Sequence, residues 1–218
     1  RDPSTEMMNA MEQKRLQLVI SNIGDVYIVW HGVIERICET YGLPKKEFTD
    51  WYLRDFATML YEGILPVDEF WKTVENTYDV HVQGDPFTTF FDGKSIVGME
   101  RLFKNLKKHG VRIVSASNTY ASNWDVCLRN AGMSVFAAHY PSHILHLSKP
   151  SPSYYQFIME HENASPQACL FIDDREENIE GAEAVGIPSY RYVYTEDKDT
   201  SLLGAYIHRT YGIDGITF

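Results

Sequence analysis

The apolar run Cys169-Leu170-Phe171-Ile172 ends in two adjacent carboxylates, Asp173 and Asp174, with Asn178 four residues further on. A buried strand would carry such a pair to the edge of a sheet. Hard oxygen ligands of this kind suit Mg2+, which keeps waters and shares a substrate phosphate. Most Asp-Asp pairs are solvated turns, and Asp174 could equally cap the helix that follows. The preceding strand and Asn178 favour a site. Ser117-Asn118-Thr119 closes a second apolar run, where a hydroxyl and free backbone N–H groups can bind phosphate oxygens. An ordinary polar turn has the same composition. Lys149-Pro150 offers a cation to a phosphate or carboxylate, against the commoner reading of a surface lysine. A fourth stretch, Leu18-Val19-Ile20-Ser21-Asn22-Ile23-Gly24-Asp25-Val26, is a short apolar strand running into a turn that Gly24 permits.

These pieces need elements to bring them together. Leu16 to Ser21 is apolar enough for a strand buried on both faces. From Gly32 to about Phe91 the spacing becomes helical. The first helix carries the stripe Val33, Ile34, Ile37 and Cys38 and stops at Gly42, with Pro44 beyond. A second is predicted from Lys46 to Tyr61, burying Phe48, Trp51, Tyr52, Phe56 and Leu60. A third follows Pro66, with Phe70, Trp71 and Val74 inward. Helices are also predicted over Gly98 to Gly110, Asn123 to Ala131, Tyr154 to His161 and Glu176 to Val185. Strands are predicted over Val111 to Ala116, Ala168 to Ile172 and Tyr190 to Tyr194. Strands alternating with helices predict an α/β fold with a Rossmann-like parallel sheet core, residues 11–31 and 92–218, and a helical cap, residues 32–91, inserted after the first strand. Ligands of such sheets bind beyond the carboxyl ends of the strands, where Asn22, Ser117 and Asp173-Asp174 all fall.

At 218 residues the chain can bury a large core, and 20 Lys plus Arg against 30 Asp plus Glu give a net charge of -10. That charge disfavours nucleic acid or an anionic membrane as the main partner. Cys38, Cys127 and Cys169 are scattered and odd in number, which fits buried thiols in a reducing cytoplasm. No run approaches the ~18 to 20 apolar residues of a membrane span. Arg1 to Glu6 reads as a polar arm, and no feature of the sequence fixes an oligomeric state.

The order of the four pieces resembles the haloacid dehalogenase-like hydrolase superfamily, over about Leu16 to Pro188. Its first motif is similar to Ser21-Asn22-Ile23-Gly24-Asp25-Val26, its second to Ser117-Asn118-Thr119, its third to Lys149-Pro150, and its fourth to Ile172-Asp173-Asp174 through Asn178. The insertion after the first motif looks like the family's small cap, in the style of sugar-phosphate phosphatases. The resemblance implies that position 22 holds the nucleophile, normally an aspartate that attacks phosphorus. It implies Mg2+ held by position 22, the Gly24 carbonyl and Asp174, with Asp173 acting mainly through water and Asn178 in support. It also implies that Ser117 and the Asn118 amide hold the phosphoryl oxygens while Lys149 neutralises charge. Gly24 stands where many family phosphatases keep a second aspartate as acid and base, and Asp25 is expected to point elsewhere.

Asn22 departs from that pattern, since a neutral amide oxygen is a poor nucleophile. The expected function is therefore a Mg2+-dependent phosphate-monoester hydrolase scaffold for a small phosphorylated metabolite, with little or no turnover. The alternative is a non-catalytic relative that binds a phosphorylated ligand or a protein. Tyr52, Arg54 and Tyr61 are the cap residues that could face the site.

Overall fold

The computed structural model describes residues 15–214; the polar arm at Arg1 to Glu6 lies outside them. Five parallel strands, β1 (Leu18–Ser21), β2 (Arg112–Ser117), β3 (Ala138–Pro141), β4 (Cys169–Asp173) and β5 (Ser189–Arg191), form one sheet in the order β3-β2-β1-β4-β5. This is the α/β Rossmann-like arrangement the alternation predicts. All four residues of β1 are buried, as an uninterrupted apolar strand covered on both faces must be. Ser21 pairs with Ser115 on one side and Ile172 on the other. β2 and β3 extend the sheet one way from β1, and β4 and β5 the other. The ends of β1, β2 and β4 thus flank the switch in strand order where such sheets open a crevice.

The helices between β1 and β2 are α1 (Val33–Tyr41), α2 (Lys45–Asp55), α3 (Ala57–Tyr61), α4 (Val67–Tyr78), α5 (Pro86–Thr89) and α6 (Val97–Lys108). α1 stops at Gly42, whose φ of 65° suits the left-handed C-cap and whose N–H donates to the Cys38 carbonyl. The single helix expected over Lys46 to Tyr61 is two. The chain breaks at Phe56, with φ −128°, where the ring packs 4.6 Å from Trp51 and 5.3 Å from Phe70. Tertiary packing of one aromatic overrides the helical periodicity there. The later helices are α7 (Ala121–Leu128), α8 (Ser142–Leu145), α9 (Pro152–Glu162), α10 (Glu176–Ala184) and α11 (Ser201–Tyr211).

Alternation along β1 sorts two cores. Val19 belongs to an apolar cluster that includes Phe48 and Phe70 of the helical insertion, Leu102 of α6, and Ile113 and Leu170 of the sheet. Leu18 and Ile20 point the other way, to Val114, Tyr154, Ile158 and Phe171. Cys38, Cys127 and Cys169 are free and buried. Among the described residues, no helix is long and apolar enough to cross a membrane.

On the second face α10 runs hard against the Lys149-Pro150 loop, whose peptide bond is cis. A Cβ added at Gly181 would lie 2.6 Å from the Pro150 carbonyl oxygen and 3.0 Å from its Cβ. Only hydrogen fits there. Gly181→Ala is expected to cost about 1–3 kcal/mol by overpacking, read by urea unfolding. The exposed neighbour Glu180→Ala should stay within about 0.5 kcal/mol of the parent. Equal stability of the two variants would count against the close contact.

Candidate active site at the carboxyl edge of the sheet

Lys149 is buried at 4% exposure, against the surface position commonest for lysine. Its ammonium donates to Asn22 Oδ1 at 2.9 Å, to the Ala116 carbonyl at 2.8 Å and to Asp173 Oδ2 at 2.6 Å. Those bonds use all three of its donors. The other oxygen of Asp173 accepts from Asn178 Nδ2 and from the Arg175 N–H, each at 3.0 Å. Asp173 is fully buried and is turned to its lysine and asparagine partners. The Asn118 side chain clasps the Lys149 main chain from both sides. Its Nδ2 donates to the Lys149 carbonyl at 2.8 Å, and its Oδ1 accepts from the Lys149 N–H at 2.9 Å. The turn after β2 and the lysine loop are thereby held as one piece. Ser142 Oγ steadies that turn further, accepting from the Thr119 N–H at 2.9 Å.

This network fixes which way the Asn22 amide faces. An ammonium has donors only, so the amide oxygen must meet Lys149 and the NH2 must turn away. Asn22 Nδ2 accordingly donates to the Gly24 carbonyl at 2.9 Å and to Asp174 Oδ1 at 2.8 Å. Two hard oxygens therefore converge on one point. A carboxylate and a main-chain carbonyl, completed by waters and a phosphate oxygen, make a set Mg2+ accepts. Asn22 adds no oxygen to that set, because the atom it presents there is a nitrogen carrying hydrogens. The Asp174 carboxyl is pushed up to about 7, first by burial and then by the neighbouring Asp173, against the pull of Lys149.

Gly24 brings no side chain to the site. Asp25, in the left-handed region at φ 54°, uses its Oδ1 to accept from the Trp30 and His31 N–H groups at 2.8 and 2.7 Å. It braces the loop after β1 and also lines the cavity beside Asn22 and Asp174, against the expectation that it points elsewhere. Burial raises its pKa while those two main-chain bonds oppose the rise.

Asn22, Gly24, Ser117, Asn118, Lys149, Asp174 and Asn178 all line one cavity of about 140 Å3, with Asp173 buried beside Lys149. Of the three residues of the helical insertion expected to face the site, Tyr61 reaches the cavity. Tyr52 is buried and donates its hydroxyl to the Tyr61 hydroxyl at 3.1 Å. Arg54 is exposed and pairs with Asp55. The cavity also takes in Trp30, Phe91, Asn123 and Arg175, none of which was picked from the sequence. Arg175 adjoins the acidic pair and could have been found from that adjacency. The other three carry no motif and arrive by packing.

The family description for haloacid dehalogenase-like hydrolases matches residues 40–186. A bifunctional riboflavin kinase/FMN phosphatase from Arabidopsis thaliana is 26% identical over 208 residues, 87% of this chain and 53% of that protein. The chain thus spans about half the length of that curated relative. Among solved structures, a predicted HAD-like family hydrolase from Porphyromonas gingivalis superimposes with a TM-score of 0.69 at 18% identity, covering 88% of this chain and 98% of that one. A HAD family enzyme from Bacteroides thetaiotaomicron, in complex with magnesium and inorganic phosphate, has a TM-score of 0.64 at 19% identity, with 81% and 93% covered. The L-2-haloacid dehalogenase of Xanthobacter autotrophicus has a TM-score of 0.61 at 14% identity, with 92% and 85% covered.

Proposed function

The chain belongs to the haloacid dehalogenase-like hydrolase family, and on that premise we propose that its site takes a phosphate monoester of a small metabolite and holds it without turning it over. The observation that carries the reading is the 2.9 Å bond from Lys149 to Asn22 Oδ1. It puts an amide, engaged and neutral, where the family's attacking carboxylate would stand. Ser117 and the Asn118 N–H would bind a phosphoryl group, and Lys149, whose three donors are already engaged, adds its positive charge beside them. Attack on phosphorus is the missing step.

Asp174 and the Gly24 carbonyl would hold Mg2+, which when bound supplies positive charge to the phosphoryl oxygens. The relative named for FMN phosphatase and the neighbour holding magnesium and phosphate support phosphate over halide as the ligand. We place the chain in the sugar-phosphate phosphatase style of the family, with residues 32–91 as its cap and the cytoplasm as its compartment.

Calorimetry with inorganic phosphate and small phosphate esters tests the reading, with phosphorus NMR to follow the ester. Binding is expected with the ester intact after hours. Ser117→Ala should weaken it about tenfold or more, the loss of a hydrogen bond to a charged group. No heat of binding at tens of millimolar phosphate would overturn the reading.

A further inference from the structure

Among the described residues two cations line the cavity, Lys149 and Arg175, and they stand differently. The three donors of Lys149 are engaged inside the protein. Arg175, which directly follows the acidic pair at the end of β4, keeps 40% of its side chain exposed, so a molecule in the cavity has access to it. Glu177 engages one terminal nitrogen of the guanidinium, Nη2. The group carries five donors in a planar fork, and that partner leaves most of them for another acceptor. The pair is also exchangeable, because the Glu177 side chain is 47% exposed and ion pairs in contact with water contribute little.

Tyr61 of the helical insertion lines the cavity as well. Its hydroxyl accepts from Tyr52 at 3.1 Å and so keeps its own hydrogen to donate. Burial alone would lower the Arg175 pKa, and the Tyr61 phenol, ahead of Glu177, raises it, which puts phenol and guanidinium near one another. A carboxylate is the planar acceptor that takes two parallel bonds from an arginine fork and has lone pairs left for a hydroxyl. Asp25 and Asp174 line the same cavity. A second phosphate, with a charge of about −1.5 to −2, would meet more repulsion from them than a carboxylate does.

We infer that the site selects phosphate monoesters whose leaving group carries a carboxylate, phosphorylated hydroxy acids, and that Arg175 reads that carboxylate with Tyr61 beside it. This rests on the phosphoryl-binding reading above and makes Arg175 a residue that sets specificity. Lys149 serves the phosphoryl end of the ligand and Arg175 the other.

Because the chain holds its ligand without turnover, calorimetry reads the inference directly. Phosphoglycolate and phosphoglycerate are titrated into the parent chain and into Arg175→Met, Arg175→Lys and Glu177→Gln. Hydroxyethyl phosphate and glycerol phosphate, which carry a hydroxymethyl group in place of the carboxylate, and inorganic phosphate are titrated alongside. The parent should bind each acid about tenfold or more tighter than its alcohol counterpart, the size of a charge-assisted bond. Arg175→Met should remove that preference, and Arg175→Lys should restore only part of it, since an ammonium lacks the fork. Glu177→Gln releases the guanidinium and should widen the preference. Arg175→Met should weaken the acids far more than inorganic phosphate, whose binding also shows that the variant is folded. If the parent binds acids and alcohols alike, or if Arg175→Met weakens inorganic phosphate as much as the acids, the inference is overturned and the phosphoryl site stands. If inorganic phosphate fails to bind the parent, the underlying reading falls and takes the inference with it.

Discussion

Asn22→Asp is expected to convert a chain with no phosphatase activity above background into one that hydrolyses p-nitrophenyl phosphate in the presence of Mg2+. The gain could reach the order of a millionfold, the size of effect seen when a hydrolase loses its nucleophile. A carboxylate at position 22 would keep one oxygen on the Lys149 ammonium, where Asn22 Oδ1 now sits at 2.9 Å. Its second oxygen would replace the NH2 that faces Gly24 and Asp174. Three oxygens would then converge where two do now. The same change brings two carboxylates together with no hydrogen between them, so without a cation the variant should melt below the parent. Adding Mg2+ should raise its melting temperature by several degrees and leave the parent almost unmoved. That readout does not depend on turnover.

Nitrophenolate is the right leaving group for this test because it departs without a proton, and Gly24 offers none. Alkyl phosphates should lag behind it. Gly24→Asp, added to Asn22→Asp, should recover about 10²–10⁴ on those esters, the usual range for a positioned general acid. There is room for it, since a Cβ at Gly24 would meet Trp30 Cβ at an ordinary 3.5 Å. An Asn22→Asp protein that binds Mg2+ and still hydrolyses nothing would sink the lost-nucleophile account.

Lys149→Ala should be the most destabilising single change in the site, at about 3–5 kcal/mol. It leaves the Asp173 carboxylate buried without its counter-charge, and breaking one side of a buried pair costs about that much. Asn178 and the Arg175 N–H would still hold one carboxylate oxygen, while the other would face the vacated space. Lys149→Met combined with Asp173→Asn removes both charges and keeps the volume, so most of the loss should return. Urea unfolding of the two single variants and the double variant gives the coupling between them. A Lys149→Ala protein within about 1 kcal/mol of the parent would show that the pair holds nothing up.

The strands that carry the site could be read because they are buried on both faces. Val19-Ile20 and Leu170-Phe171-Ile172 are uninterrupted apolar runs, and the polar residues that end them stand out. β3 was missed because Ala138-His139-Tyr140-Pro141 is an edge strand with a mixed, half-polar sequence. α11 was also missed, although its Leu203, Ile207 and Tyr211 are buried. The expected β5, Tyr190 to Tyr194, starts one residue and ends three residues beyond the observed Ser189–Arg191, since the tyrosines at 190, 192 and 194 draw the strand toward them. Within the site, motif positions such as Ser117, Lys149 and Asp174 were legible from type and order. Trp30, Phe91 and Asn123 were not, because no local pattern says which side of a helix or loop the fold turns toward a cavity. The direction of the Asn22 amide was likewise out of reach. It is set by a lysine 127 residues away.

The apolar cluster that joins Phe48 and Phe70 to Ile113 and Leu170 bears on how anything enters or leaves. Helices sharing one packed interior with the sheet do not swing as a free body. Their amide hydrogens should exchange with solvent at free energies close to those of β1 itself. Traffic to the cavity then falls to side chains that turn in place. Half-buried Tyr61, tethered through its hydroxyl to Tyr52, is placed to set the rhythm of exchange.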